Sequence, residues 1–280
     1  MSDELQQFSM GTWVVGLAVV TAFIGLFVGI ASGRKAMTAT SPRQRYLWLA
    51  WGALSIGGIG AWLPHYIAMV GLEVAGTTLR YDALWIAVSF AVPVLAAGVA
   101  LLIVSPPPSK HRRPTTSVEI SRLAAAAVIL GVGLAGMHVA IVSSLVIQGS
   151  VSFDPILTGA AAVIGLVIGA AIMWSISILD SRALRLVAAL VVAAALVAMH
   201  YTGVFGLSVT VDPEAPRPDG LEVFSILFPV FVLGMLVVTI PITALLMAPD
   251  RVAAELELEA DMLAAESLAA ESRGRELELR

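Results

Sequence analysis

The chain has 280 residues, 59% of them hydrophobic and 13% charged, about half the ~25% charge of an ordinary soluble domain. With a mean hydropathy of +0.93, that is more apolar surface than one soluble core can bury, so the composition is that of an integral membrane protein and excludes a soluble enzyme. Cysteine and asparagine are absent, which removes disulfides, zinc–thiolate and iron–sulfur sites, thiol nucleophiles and N-glycosylation acceptors.

Crossing ~30 Å of hydrocarbon takes ~20 apolar residues, and seven stretches are long enough: about 12–31, 47–70, 83–104, 123–147, 155–179, 186–207 and 223–247. The predicted fold class is therefore all-α, a bundle of seven transmembrane helices with a cytoplasmic helical tail. The membrane domain takes 1–247 and the tail 248–280. Breakers separate the spans, among them Pro106-Pro107-Pro108, Asp154-Pro155 and the proline-rich acidic stretch 212–219. The flank of the first span is acidic (Asp3, Glu4) and carries no basic residue, unlike a signal peptide.

Fourteen of the sixteen Lys and Arg fall on one side of such a bundle, and only Arg80 and Arg217 fall on the other. The positive-inside rule then puts the N-terminus outside and the tail in the cytoplasm. The setting is a cytoplasmic membrane, crossed several times. The tail is rich in Ala, Glu and Leu, strong helix formers, and Leu256, Leu263, Ala270 and Leu277 recur every seven residues. Either a solvated helix or a short dimerising coiled coil fits that pattern.

Three of the four histidines lie inside apolar spans. His65, His138 and His200 occupy the second, fourth and sixth spans, each in the outer half, while His111 sits in a basic loop. The first six spans thus form three helix pairs, each ending in a histidine segment, with a seventh helix leading to the tail. Ionisable residues within spans are costly and mark functional sites that face the bundle interior. Imidazole is the commonest metal ligand near neutral pH. Met69 follows His65 by four residues and shares its helix face, whereas Met137 and Met199 directly precede His138 and His200 and point about 100° away. Imidazole and thioether without carboxylates favour a soft ion such as copper over Ca²⁺, Mg²⁺ or Mn²⁺. Haem held by two axial histidines is the alternative cofactor. Tyr66 and Tyr201 are either supporting partners of the imidazoles or interface residues. Trp13, Trp62 and Trp85 fit an outer aromatic belt, and Trp48, Trp51 and Trp174 an inner one.

Gly131, Gly133 and Gly136 spell a dinucleotide fingerprint, but no strand precedes it and it lies within an apolar span. Close helix packing explains those glycines, as it does Gly57, Gly58 and Gly60. No span contains Lys, Asp or Glu, which argues against a retinal Schiff base and an acidic proton relay. Pro64 predicts a kink just before His65.

Met199-His200-Tyr201-Thr202 spells the signature of the MHYT family, and the chain resembles those bacterial seven-helix membrane sensor domains over about residues 10–247. The first copy reads Leu63-Pro64-His65-Tyr66 and the second Met137-His138-Val139-Ala140; Val142 and Val204 stand where the first copy has Met69. The resemblance implies a copper site near the outer face, built from the motif's His and Met residues, that senses oxygen, carbon monoxide or nitric oxide. The signal is then expected to pass through span seven and the tail to a cytoplasmic partner or through a homodimer. No enzymatic activity and no nucleic-acid partner are expected; the lipid bilayer is the surrounding partner. Metal transport and a haem-bearing redox role remain the competing functions.

Overall fold

A computed structural model describes residues 5–39, 41–105 and 116–247. His111 and the heptad of the tail lie outside these residues. The chain divides into a compact unit running to Pro241 and a second unit, 242–280. Within the second unit only the helical residues 242–247 are described.

Among the described residues, seven helices are long and apolar enough to cross a membrane. They are α1 (Trp13–Met37), a composite second span, α4 (Ala83–Val104), α5 (Thr116–Ser143), α6 (Pro155–Ser177), α7 (Arg182–Val204) and α8 (Val223–Met247). The second span runs Pro42–Met69 without a gap. Its hydrogen bonding nonetheless changes twice, from α2 (Pro42–Ala53) to a π-helical segment (Leu54–Trp62) and then to α3 (Leu63–Met69).

Caps rather than hydropathy fix several helix starts. Ser41 accepts from the Gln44 amide, Asp82 from Trp85, Asp154 from Ile156 and Leu157, and Ser181 from Leu184. Each satisfies an amide that the first helical turn would otherwise strand. The second and sixth spans therefore begin at Pro42 and Arg182, earlier than the apolar runs. The fourth ends at Ser143 rather than 147, because the next residues leave as a strand.

Among the described residues, six short strands, none foreseen from the sequence, occupy the N-terminal segment and the connections at one end of the bundle. They are β1 (Leu5–Gln6), β2 (Glu73–Val74), β3 (Arg80–Tyr81), β4 (Leu145–Val146), β5 (Gly149–Phe153) and β6 (Leu207–Val211). They pair as three antiparallel ribbons, β1–β2, β3–β4 and β5–β6. The longest registers Gly149 with Val211 and Phe153 with Leu207. The first ribbon ties the segment before α1 to the connection after the second span, and the other two tie connections that follow successive helix pairs, so together they cap this end. Tyr81 is buried beneath the cap, and burial, reinforced by Tyr66, raises its phenol above the usual value, keeping it neutral.

The first six spans close into a ring, because α1 packs on both the second span and α7, and α4, α5 and α6 complete the circuit. Glycines allow backbone contact at the tightest crossings. A Cβ at Gly25 would collide with the Gly60 backbone, and one at Gly57 with Pro93. Gly131 meets α6 at Leu166 and Gly165. These are packing glycines, as expected. Up to Pro241, α8 borders the second span, where Gly234 faces Leu63 and Ile59, and Phe224, Phe228, Leu233, Leu236 and Ile240 are among its exposed side chains.

The opposite end is held by arginines. Arg34 donates to the Ile176 and Ser177 carbonyls at 3.1 and 3.2 Å and pairs with Asp180. Arg45 is buried and donates through Nε to the Ser105 carbonyl at 2.8 Å. Arg185 donates to the Leu179 and Asp180 carbonyls. One sequence expectation needs correction: Trp62 is not a belt residue. It is 2% exposed, donates its indole N–H to Ser89 Oγ at 2.8 Å, and stacks on Tyr66. Trp13, Trp85 and Trp174 are exposed, as belts require.

Candidate metal centre

Three different spans deliver one histidine each to a common point beneath the ribbon cap. His65 lies on α3, His138 on α5 and His200 on α7, the second members of the three helix pairs. Their ring centroids are 5.7 Å (His65–His138), 5.1 Å (His65–His200) and 6.0 Å (His138–His200) apart, all edge to face. One ring nitrogen from each lies within 4.8 Å of the others, and this is the group among the described residues able to hold a metal ion. Exposure is 1% for His65, 4% for His138 and 1% for His200.

The backbone aims His65. The π-helical segment lets the Leu63 amide donate to the Gly58 carbonyl, five residues back. Pro64, which has no amide to donate, follows directly. Such one-turn widenings recur at functional sites. The bend expected at Pro64 is thus a change of helix type completed just before His65. His65 Nδ1 lies 3.1 Å from the Ala61 carbonyl, which only accepts, so Nδ1 carries the proton and Nε2 is left as a lone pair. A ring N–H fixed on a carbonyl, with the other nitrogen free, is how proteins orient a metal-binding imidazole.

That lone pair has company. His65 Nε2, His138 Nδ1 and both nitrogens of His200 are buried without a hydrogen-bond partner. Leaving such a group unpaired costs about 1–3 kcal/mol, and natural proteins seldom leave several together. A cluster of unpartnered imidazole nitrogens, with no carboxylate or cationic side chain in the group, fits a metal ion that would accept those lone pairs.

The cluster rests on groups that the sequence signalled only partly. Gly203, three residues beyond His200, is the seat of His138, since a Cβ there would collide with His138 Nε2. Its only signal is glycine following Tyr201-Thr202. Tyr201 stands 5.1 Å from His200, ring to ring, and Phe8 stacks on its other side at 5.1 Å. The segment holding Phe8 is pinned where Ser9 donates to the Gly71 carbonyl from both its amide and its hydroxyl. Tyr66 instead packs between Trp62 and Tyr81, at 5.2 and 5.7 Å. The hydroxyls of Tyr66 and Tyr201 are buried without a partner. Met69, Met137 and Met199 are all buried, and the Met199 methyl points at Gly165 on α6.

Fold and cluster together define a multi-pass helical membrane domain with a buried three-histidine centre. Residues 58–116 match the MHYT family, described as a bacterial signalling protein N-terminal repeat. The likeness to that family is therefore shown, and the matched segment contains His65 and the second half of its π-helical approach. The chain is 26% identical over 195 residues, 68% of its length, to the bifunctional diguanylate cyclase/cyclic di-GMP phosphodiesterase MucR of Pseudomonas aeruginosa. It is 24% identical over 218 residues, 76% of its length, to the cyclic di-GMP phosphodiesterase NbdA of the same organism. It spans about a quarter of either relative, 27% and 26%. No solved structure matches the chain.

Proposed function

We propose that the three histidines hold one copper ion and that the domain is a membrane sensor, in which the state of this centre is relayed by helix packing. The observation that carries this reading is the meeting of three buried imidazoles from three spans, their facing nitrogens unpartnered. An all-imidazole donor set with methionines nearby and no carboxylate suits copper better than a hard divalent cation. Haem is disfavoured, since a porphyrin would have to pass between rings 5.1–6.0 Å apart that already stand edge to face.

Bound copper would supply a coordination position for oxygen, carbon monoxide or nitric oxide, or the ion would itself be the stimulus. The chain's own residues do the rest. Ala61 holds the His65 ring in register, Gly203 admits His138, and the ribbon cap and Phe8 keep bulk water off Tyr201 and His200. Because the histidines sit on alternate helices of a closed ring, any change in their spacing shifts every neighbouring helix. The distribution of Lys and Arg supports an orientation with the histidine end outside and the tail in the cytoplasm. The tail then reports to a cytoplasmic partner or a second copy. The activities of the relatives MucR and NbdA point to cyclic di-GMP synthesis or breakdown as the output, whether in another protein or in further chain.

Metal analysis with a visible spectrum, on detergent-purified protein beside the His65→Ala/His138→Ala/His200→Ala variant, tests the centre. Copper present in the parent and lost in the variant is the expected result. An intense Soret band would replace copper with haem, and unchanged metal content in the variant would remove the histidines from the site. Copper uptake into sealed vesicles would turn the reading to transport.

A further inference from the structure

A cavity of about 100 Å³ opens directly beside His138, lined by Val139, Val142, Ser143, Phe153, Thr158 and Gly203. Three elements make it: the last turns of α5, the β5–α6 junction, and α7 where Gly203 contributes no side chain. The same missing Cβ that seats His138 therefore also leaves space next to it. At the matching position, three residues beyond the histidine, the other two copies hold Ala68 and Ile141, so the third copy alone carries glycine there. His138 is also the most exposed of the three imidazoles, at 4%.

The lining selects what fits. Apart from His138, the side chains are apolar or carry one small hydroxyl, and no charged group is present. The volume equals about three waters at ~30 Å³ each, room for a molecule of two to a few heavy atoms. Apolar cavities of similar order, about 150 Å³, stay dry and take up xenon or benzene. The rim residues Val139 and Phe153 are each 44% exposed; Val139 lies within the fourth span, on the flank of the bundle, and Phe153 ends β5 where the ribbon cap meets α6. A solute that partitions into hydrocarbon meets this opening from the side, without crossing the polar connections.

We infer that this cavity is a docking site for a small apolar molecule, reached from the flank of the bundle, and that it delivers such a ligand to the His138 side of the centre. Its consequence for sensing rests on the metal reading above, while its own content is testable without metal. Val142 forms the inner wall and Val139 the rim, so the two control occupancy and access in turn.

Xenon is the probe. The full chain in detergent, metal-free, is titrated with dissolved xenon while xenon-129 NMR reports binding and the His138 ring resonances report its place. Saturable xenon binding that shifts the His138 signals is expected, with the binding lost in Val142→Phe. Val139→Phe, at an exposed position where folding is not at stake, should slow exchange at the same site. No saturable binding in the parent, or binding untouched by both variants, would overturn the inference. Xenon bound at His138 in a chain that takes up no copper would leave the docking site standing and remove the metal reading instead.

Discussion

The two ends of the bundle bury their ionisable side chains in opposite ways. At the arginine end, buried Arg45 finds the Ser105 carbonyl, and Arg34 and Arg185 find the carbonyls that close α6. These guanidiniums cap helix ends that would otherwise expose unpaired oxygens. At the histidine end, imidazole nitrogens are equally buried and are left without partners. A satisfied buried group holds a fold together, whereas an unsatisfied cluster costs free energy that only a ligand can return. The contrast separates structure from site within one molecule.

Substitutions should break this contrast on one side at a time. The largest effect is expected from His200→Ala, which removes a donor from the centre. Copper affinity should fall by at least the roughly 10–100-fold typical of losing even a supporting group, read by competition with a copper chelator. Gly203→Ala comes next. Its Cβ would push on His138, weakening copper binding and costing about 1–3 kcal/mol of stability in a thermal melt. Gly16→Ala, where an added Cβ meets nothing within 4 Å, should change neither. Arg45→Met should cost about 1–3 kcal/mol by leaving the Ser105 carbonyl unpaired, with copper affinity unchanged; a matching loss of copper would show that the two ends are coupled. The smallest effect belongs to Asp180→Asn. Its side chain is 88% exposed, and an exposed ion pair contributes about 0–1 kcal/mol, so a shift in melting temperature should vanish at high salt.

The same contrast marks what was legible in the sequence. Span number, helix class and the common depth of His65, His138 and His200 follow from hydropathy and spacing alone. Both are periodic signals carried by many residues. The packing glycines were readable for the same reason. The rest depends on particular neighbours. Nothing local to Leu54–Trp62 announces a π-helix, since that geometry is set by the close approach of Gly60 to α1 and Gly57 to α4. The ribbons are two to five residues long and pair across more than 50 residues, beyond any local pattern. Trp62 looked like a belt residue because depth along a helix says nothing about the direction it faces. Gly203 is one glycine among 24, and its meaning exists only once His138 is placed against it.

The most direct test is X-ray absorption at the copper edge on the copper-loaded full chain. Three imidazole nitrogens at about 2 Å, the usual metal–histidine distance, are expected in the parent, with that pattern lost in the triple alanine variant. A coordination shell dominated by sulfur, or one identical in parent and variant, would contradict a centre built on His65, His138 and His200.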